Sequence, residues 1–401
     1  MGSTLPFKTA SKTPLMFALS VVRSIRTAFS PTPHDGTSIR AIKVCGMMLQ
    51  ARYRRIATVA VTAVILVVLL LLGTRVPVPY VALGPGPTLN TLGTAKVREP
   101  DGKVEERPIV SIQGVPTDKT SGNLNLTTVS VTDNLSLFEA MGMWVSGEYQ
   151  LQPRDRVYDP DKSTEEVQQE NVAQMTGSED DATAAALRFL NRPTKLVIGS
   201  LTGGGPSSDV LKLGDQVIRV AGTPVSTSEE FATAVSKAKP GQPLTLDIVR
   251  GTTPMTVTVT PRRDADDQNA GDIGAQGSVV NADPALKITY SVGNIGGPSA
   301  GMMLSLAVID LLSPGELTHG KFIAGTGTIS DTGEVGVIGG ITHKTRAARD
   351  AGATVFLVPD GNCAEAASDR PDGLELVKVD TLQSAVDSLN ALGQGRPVAQ
   401  C

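Results

Sequence analysis

The stretch Gly296-Gly297-Pro298-Ser299-Ala300-Gly301 places one hydroxyl group among small or rigid residues, and an apolar run follows at once over residues 302–309. Small residues before a helix let another backbone approach closely, and the first N–H groups of the helix stay unpaired. A serine there can reach a substrate while those N–H groups receive developing negative charge. The simpler interpretation is a helix N-cap serine in a glycine-rich turn. These six residues alone favour the cap, so the rest of the chain has to decide.

Length and composition bound the alternatives. A chain of 401 residues predicts two or three domains, with a core built from Val, Leu, Ile and Ala because aromatic residues are scarce. A net charge of −4 gives no argument for nucleic acid as a partner. Cys45, Cys363 and Cys401 show neither metal-site spacing nor a disulfide framework. A Cys363–Cys401 disulfide stays open, because spacing cannot establish its geometry. We predict no metal and no cofactor.

The N-terminal 73 residues fall into two parts. Residues 1–55 carry nine Lys or Arg against one acid, Asp35, and predict a basic, disordered cytoplasmic tail. Residues 56–73 contain no charge, and at about 1.5 Å per residue they come close to the roughly 30 Å of a bilayer core. The sequence therefore predicts one transmembrane helix, with the arginines before it keeping the N-terminus in the cytoplasm.

Two other interpretations of that apolar run are weaker. A buried helix would show a polar face, and this run has none. A signal peptide with its start at Met47 or Met48 would need a cleavage site, but residues 73–77 lack the small-x-small pattern. We expect an uncleaved single-pass anchor at the cell membrane, with all of the chain after Val76 outside the cytoplasm.

The region after the anchor alternates strand and helix patterns. Strands are predicted at 109–113 and 123–131, and a helix from Asn134 to Val145. Leu135, Phe138, Met141 and Val145 share one face of that helix. Residues 149–179 are polar and acidic and predict an exposed excursion. Ser178 then has the character of an N-cap for a helix that ends near Leu190.

Residues 193–263 have a different pattern. The run Leu-x-Gly-Asp-x-Ile-x-x-Val-x-Gly-x-x-Val is approximated between Leu211 and Val225, and it resembles a PDZ domain of the bacterial protease-associated type. The resemblance implies a groove that accepts an extended peptide as an added strand. Carried over, the groove lies between the helix at 228–238 and a strand made of Leu196, Val197, Ile198, Gly199, Ser200 and Leu201. The alternative is a spacer with an occluded groove. Residues 264–283 are predicted to be a polar linker.

Several motifs, in a fixed order along the chain, help to decide the role of Ser299. Gly297-Pro298-Ser299-Ala300-Gly301, Thr326-Gly327, Gly339-Gly340 and Lys344 resemble the proteolytic domain of the Lon family of serine proteases. The resemblance implies a dyad in which Ser299 is the nucleophile and Lys344 the general base, with Thr326 orienting the amine. The chemistry is consistent, because a serine hydroxyl needs a base and a lysine serves only when its pKa falls below about 10.4.

The residues beside the nucleophile complete the expected site. Backbone N–H groups around Pro298 and Ala300 are candidates for an oxyanion hole, with Gly297 in support, although Pro298 itself has no N–H. Residues 122–127 resemble the opening strand of the same proteolytic domain. The predicted fold is therefore α+β: a Lon-type domain in two parts, 77–192 and 284–401, that carries an inserted PDZ domain and follows one transmembrane helix.

No ATPase module is predicted. The nearest phosphate-loop candidate, residues 315–322, has Phe322 where Ser or Thr would hold magnesium. We therefore expect an ATP-independent endopeptidase that acts on unfolded or membrane-proximal polypeptides. The family resemblance also implies a homo-oligomer, in the form of a hexamer.

Two alternatives remain from different classes. Gly297-x-Ser299-x-Gly301 also satisfies the nucleophile pattern of α/β-hydrolases, for which His343 would be the base of a Ser–His esterase. The second alternative is a non-catalytic, membrane-tethered peptide-binding protein.

Overall fold

The computed structural model describes residues 36–98, 103–159, 162–293 and 295–401. The chain divides into two compact units, 1–72 and 73–401. Helix α1 (Gly36–Arg75) contains the predicted apolar run, and its part Arg52–Arg75 is long and apolar enough to cross a membrane. The predicted disorder over 1–55 is wrong from Gly36 onward, because the chain between Gly36 and the apolar run has no proline and many good helix formers. Residues 1–35 lie outside the described residues.

Between α1 and the PDZ region, the described residues contain six strands and three helices. In order they are β1 (Tyr80–Asn90), β2 (Thr94–Arg98), β3 (Val104–Pro108), β4 (Val110–Gln113), β5 (Asn123–Thr132), α2 (Leu137–Ser146), β6 (Gln150–Pro153), α3 (Arg154–Val157) and α4 (Thr164–Phe189).

Residues 149–179, predicted to be an exposed excursion, are mostly exposed or half-buried, but they form regular structure, namely β6, α3 and the first part of α4. Helix α4 begins after Ser163, whose side chain accepts from the N–H of Glu166 while the Glu166 carboxylate accepts from the N–H of Ser163. This reciprocal capping satisfies two N–H groups that a helix start leaves unpaired. Ser178 is therefore not a cap but a buried residue in the middle of the helix.

The middle of the chain forms a second sheet. Its elements are β7 (Thr194–Leu201), β8 (Gln216–Val220), β9 (Thr223–Pro224), α5 (Ser228–Ser236), β10 (Leu244–Arg250), β11 (Thr253–Val259), β12 (Arg262–Arg263), β13 (Gly271–Asp272) and β14 (Ala275–Asn281). The spatial order is β11-β10-β8-β7-β14, with β9 paired to β8. Residues 264–283 are thus not simply a linker, because they end in β14, which pairs along the whole of β7.

The remaining elements complete the first sheet. They are β15 (Lys287–Tyr290), α6 (Gly301–Leu312), β16 (Phe322–Gly325), β17 (Thr328–Ile329), β18 (Val335–Gly336), α7 (Ile341–Asp350), β19 (Val355–Pro359), a 3-10 turn (Asp360–Asn362), α8 (Cys363–Ser368), β20 (Glu375–Val379) and α9 (Leu382–Gly393). A disulfide joins Cys363 to Cys401, the pairing that the sequence left open.

The main sheet draws strands from both sides of the PDZ region. Its order is β20-β19-β16-β5-β1-β6, and β5 pairs in parallel with β16 from Phe322↔Asn123 to Gly325↔Leu126. One hydrophobic core contains residues from both parts, including Leu124 and Met175 before the PDZ region and Met302 and Leu306 after it. Burial of this shared apolar surface makes the two parts one folded body.

Two polar contacts attach the PDZ region to that body. The carboxylate of Asp331, in the turn between β17 and β18, accepts from the Ser228 N–H at 2.9 Å. Ser228 is the first residue of α5, so Asp331 supplies negative charge where the helix end is positive. The Arg188 guanidinium at the end of α4 donates to the carbonyl of Ser226.

Candidate active site

The Ser299 segment is a tight turn that leads directly into α6, whose first ten residues are buried. Gly297 has φ +88°, which disfavours any side chain, and a Cβ at Gly301 would lie 2.6 Å from Ile329 Cγ2. Residues 301–310 of α6 are all buried, so the helix fixes the turn that precedes it. Glycines at 297 and 301 are therefore required by backbone shape and by packing.

Helix α4 and the Thr326 segment hold the turn through its backbone. The Gly297 N–H donates to the carbonyl of Asn171 at 3.0 Å, and the Ser178 hydroxyl donates to the carbonyl of Pro298 at 3.0 Å. From the other side, the Gly327 N–H donates to the carbonyl of Ser299 at 3.0 Å. Each peptide group flanking Ser299 is thus tied to a different element.

Lys344 lies in the first turn of α7, and its amine reaches the Ser299 hydroxyl. Its Nζ donates to Ser299 Oγ at 2.7 Å and to Thr326 Oγ1 at 2.9 Å. Thr326 Oγ1 in turn donates to the Ser299 carbonyl at 3.0 Å, which leaves its lone pairs facing the amine. The structure therefore brings the three sequence-predicted residues Ser299, Lys344 and Thr326 together.

Burial changes the acidity of this amine. Lys344 is only 3% exposed, and burial lowers the pKa of its ammonium to about 8. A neutral amine keeps two N–H donors and gains one lone pair. In that state it can donate to Thr326 while it accepts the proton of Ser299, which is the geometry required of a general base.

A cleft of about 610 Å³ opens in front of Ser299. Apolar side chains dominate its lining, and Lys344 is the one charged residue among the lining residues, which are Pro87, Leu126, Thr127, Thr128, Val129, Ile295, Gly296, Gly297, Pro298, Ser299, Ala300, Thr328, Val337, Ile338, Gly339 and Lys344. Within the described part of the chain, the backbone N–H groups of Ser299 and Ala300 have no hydrogen-bond partner. That of Gly297 is taken by Asn171, so it is not available to an oxyanion.

His343 lies next to the lysine in sequence but does not share its contacts. Its ring is buried, neither ring nitrogen has a hydrogen-bond partner among the described residues, and burial lowers the pKa of the imidazole. It lines a separate pocket with Trp144, Tyr149 and Arg346 instead of the Ser299 cleft. The arrangement therefore gives no support to a Ser–His esterase.

The predicted peptide-binding strand requires a correction. Residues 196–201 belong to β7, which pairs with β14 along one edge and with β8 at Val197↔Gln216 on the other. The edge strand is β14, and Gly277 in it lies so close to Phe231 of α5 that a Cβ there would be 3.1 Å from the ring. The far end of β14 lies beside α4, so the stretch next to α5 is about residues 275–278.

Sequence reasoning missed Ser178, Asn171 and β14. The sequence Ser163-Thr164-Glu165-Glu166 has the serine and glutamate spacing of a capping box and could have placed the start of α4 correctly. With that start, Asn171 and Ser178 become residues of one helix. No comparable signal exists for β14, whose sequence is short and partly polar.

Family models match two parts of the chain. The model of the Lon protease (S16) C-terminal proteolytic domain matches residues 287–390, and the PDZ domain model matches residues 168–260. The predicted combination of a Lon-type proteolytic domain with a PDZ domain in a mixed α and β fold is confirmed.

Relatives resemble the proteolytic part. An archaeal Lon protease from Methanothermobacter thermautotrophicus is 29% identical over 120 residues, and Lon protease 2 from Bacillus subtilis is 33% identical over 95 residues. These matches cover 29% and 24% of this chain but only 18% and 17% of the relatives. Together with the family model they support a serine peptidase.

A solved structure resembles the PDZ part. The PDZ domain of the SdrC-like protein from Listeria monocytogenes covers 20% of this chain and 84% of its own, at 22% identity and a TM-score of 0.19.

The pH dependence of Ser299 reactivity should follow the Lys344 amine. Only neutral Lys344 can accept the serine proton, so the acylation rate by a serine-reactive probe should rise about tenfold per pH unit below pH 8 and level off above it. The measurement is the labelling rate between pH 6 and pH 10, with Ser299→Ala as the background. A flat profile, or a midpoint near the ordinary lysine value, would contradict this assignment.

Ser178→Ala should slow acylation without moving that pH midpoint. The variant removes the hydroxyl that holds the Pro298 carbonyl, so Ser299 loses orientation while the surroundings of the Lys344 amine stay the same. A loss of about tenfold in rate is expected from misplacement of this kind.

Thr176→Ala is the matched control, because Thr176 lies on the same helix and, among the described residues, its hydroxyl donates only to the carbonyl of Val172. Equal rates for Ser178→Ala and the wild type would show that the contact does not position the nucleophile.

Proposed function

We propose that this chain is a membrane-anchored, ATP-independent serine endopeptidase in which Ser299 is the nucleophile and Lys344 the general base. The observation that carries the proposal is the buried amine of Lys344 at 2.7 Å from Ser299 Oγ, with its pKa lowered to about 8. Nucleophilic catalysis by serine requires a base at this distance with a pKa near the working pH.

The proposed reaction begins when Lys344 accepts the proton of Ser299 and Oγ attacks a peptide carbonyl. The N–H groups of Ser299 and Ala300 are the candidates for binding the oxyanion, because both residues line the cleft and neither N–H has a partner in the described chain. Lys344 then donates its proton to the leaving amine. Water attacks the acyl-enzyme by the same route, and the serine is regenerated.

The cleft favours an extended, apolar segment of substrate. β5 pairs with β16 only as far as Leu126, so the backbone of Thr128 and Val129 continues past that partner along the cleft wall. An extended chain can add to such an edge through main-chain hydrogen bonds, with apolar side chains filling the pocket. We therefore propose unfolded or flexible polypeptides as substrates; the hexamer implied by the resemblance remains a prediction.

The location is also a proposal. Helix Arg52–Arg75 would serve as the anchor, and the arginines before it favour a cytoplasmic N-terminus. The Cys363–Cys401 disulfide supports an oxidising surrounding for the catalytic part, since disulfides persist mainly outside the cytoplasm.

Ser299→Ala and Lys344→Ala should each abolish peptide cleavage, because one removes the nucleophile and the other the base. The loss should be at least about 10³-fold, as in other serine hydrolases stripped of one member of the catalytic group. The measurement is cleavage of a peptide library by the fragment from residue 77.

Lys321→Ala is the control for loss of a lysine, because Lys321 is exposed and is not among the cleft-lining residues. Cleavage that survives in Ser299→Ala would overturn the proposed nucleophile. If the wild-type fragment labels with no probe and cleaves no peptide, the non-catalytic binding role becomes the better explanation.

For the PDZ region, we propose that a substrate segment binds along β14 beside α5. Adding a peptide that ends in a free, apolar C-terminus should slow amide hydrogen exchange about severalfold in residues 275–278, because an added strand pairs the free edge of β14. Residues 196–201 should change less, since β7 already pairs with β14 along its length and with β8 at Val197. Protection confined to β7, or no protection anywhere in this sheet, would contradict a groove at β14.

A further inference from the structure

Helix α2 presents an uncovered apolar face. Its side chains Leu137, Phe138, Met141, Trp144 and Val145 are 46%, 44%, 51%, 67% and 75% exposed. Phe138, Met141, Trp144 and Val145 follow Leu137 by one, four, seven and eight residues, which places all five on one stripe of the helix. The sequence predicts such an apolar stripe, and the stripe is real, but only Leu135 before the helix and Ala140 within it are buried.

This face is unusual because the single tryptophan of the chain lies in it. Large apolar side chains grouped on a surface mark a binding site more often than an accident of folding. Each of the five side chains is at least 44% exposed, so the described part of the chain leaves most of the stripe uncovered.

The start of α2 is attached to the residues that directly follow the apolar helix. The Val78 N–H donates to the carbonyl of Leu135 at 2.8 Å, and Pro77 forms an isolated bridge with Ser136. The ring of Phe138 also lies against the backbone of Gly73. Two residues of chain reach at most about 7 Å and a bridged pair is about 5 Å apart, so Ser136 lies within roughly 12 Å of Arg75, where the apolar segment ends.

We propose that α2 lies in the interface of the membrane, with its apolar stripe at the boundary between headgroups and acyl chains. The inference rests on the proposed anchoring by Arg52–Arg75, because the bilayer surface is then within reach of α2 by chain connectivity alone. Trp144 is the residue type that membrane interfaces select, since its ring is apolar and its N–H is polar. The occupant of the face is lipid.

The chemistry of the helix indicates what kind of lipid contact this is. The sequence of α2 contains no Lys or Arg, and Glu139 is its one charged residue. Binding therefore depends on buried apolar area and not on attraction to anionic headgroups. Insertion to about 5–10 Å would place Trp144 near the first part of the acyl chains.

The single tryptophan gives a direct test with the full chain. Reconstituted into phosphatidylcholine vesicles whose acyl chains carry bromine near the headgroup, the protein should lose about half of its tryptophan emission relative to vesicles without bromine. Bromine at the middle of the acyl chain should quench less. Replacing the bilayer with vesicles rich in phosphatidylglycerol should leave the quenching unchanged, because α2 lacks basic residues.

Two variants separate the stripe from other surfaces. The double variant Met141→Ser with Val145→Ser keeps Trp144 and removes two exposed apolar side chains, so the quenching should fall at least about twofold. Leu213→Ser in the PDZ region is the matched control, because Leu213 is 65% exposed and lies outside α2. Its quenching should equal that of the wild type.

Resistance to alkaline extraction, measured on the same vesicles, reports insertion of the anchor independently. An inserted chain whose Trp144 is not quenched overturns the proposal for α2 and leaves the anchor intact. If Trp144 emission then shifts to the blue as protein density rises, a second copy of the chain covers the face. Quenching of Trp144 without resistance to extraction overturns the proposed anchor and supports α2 as a lipid-binding helix. If the protein shows neither quenching nor resistance to extraction, both the anchor and the interfacial position of α2 are refuted.

Discussion

The arrangement of the site depends on the hydrogen bonds that the buried amine of Lys344 makes with the hydroxyl groups of Ser299 and Thr326. Burying an ammonium group is costly, and the cost is what lowers its pKa to about 8. The amine stays in place because Ser299 Oγ and Thr326 Oγ1 both lie within 2.9 Å of it. Thr326 also donates to the Ser299 carbonyl, so its own hydrogen is engaged and its oxygen can only accept from the lysine. One small network therefore sets the positions of the turn at 296–301, the segment after β16 and the first turn of α7.

That network needs more of the chain than the proteolytic family model covers. The match begins at residue 287, yet the carbonyl of Pro298 is held by Ser178 and the N–H of Gly297 by Asn171, both on α4. Thr127, Thr128 and Val129 of β5 also line the cleft from before the PDZ region. Parallel pairing of β5 with β16 and the shared core make these residues part of the same body. A fragment limited to 287–390 would lack one wall of the cleft and one support of the turn that carries Ser299.

Features that depend on neighbouring residues could be predicted from the sequence, whereas features that depend on contacts between distant residues could not. Ser299, Thr326 and Lys344 are recognisable because each lies in a short sequence motif whose residues are restricted by the backbone conformation. The glycine required at 297 is an example. The pairing of β14 with β7 joins residues about 80 apart through main-chain groups, so its polar side chains predict a linker while its backbone forms a sheet edge. Periodicity in α2 identifies an apolar stripe, but it cannot say whether protein covers that stripe. The Cys363–Cys401 disulfide depends on where α8 and the C-terminus meet, which spacing does not encode.

The PDZ region meets the rest of the 73–401 unit at an electrostatic contact between Asp331 and the start of α5. Asp331 is 1% exposed and accepts from the first N–H group of α5, so the positive end of that helix stabilises a carboxylate that has little access to water. Asp181 of α4 is close by: burial, together with the charge of Asp331, raises its pKa to about 6. Two acids packed this closely would repel each other, and α5 supplies the compensating charge. Without α5, Asp331 would lose the N–H group and the positive helix end that now stabilise its carboxylate. This contact and that of Arg188 with the Ser226 carbonyl join the PDZ region to the proteolytic part within the compact unit 73–401.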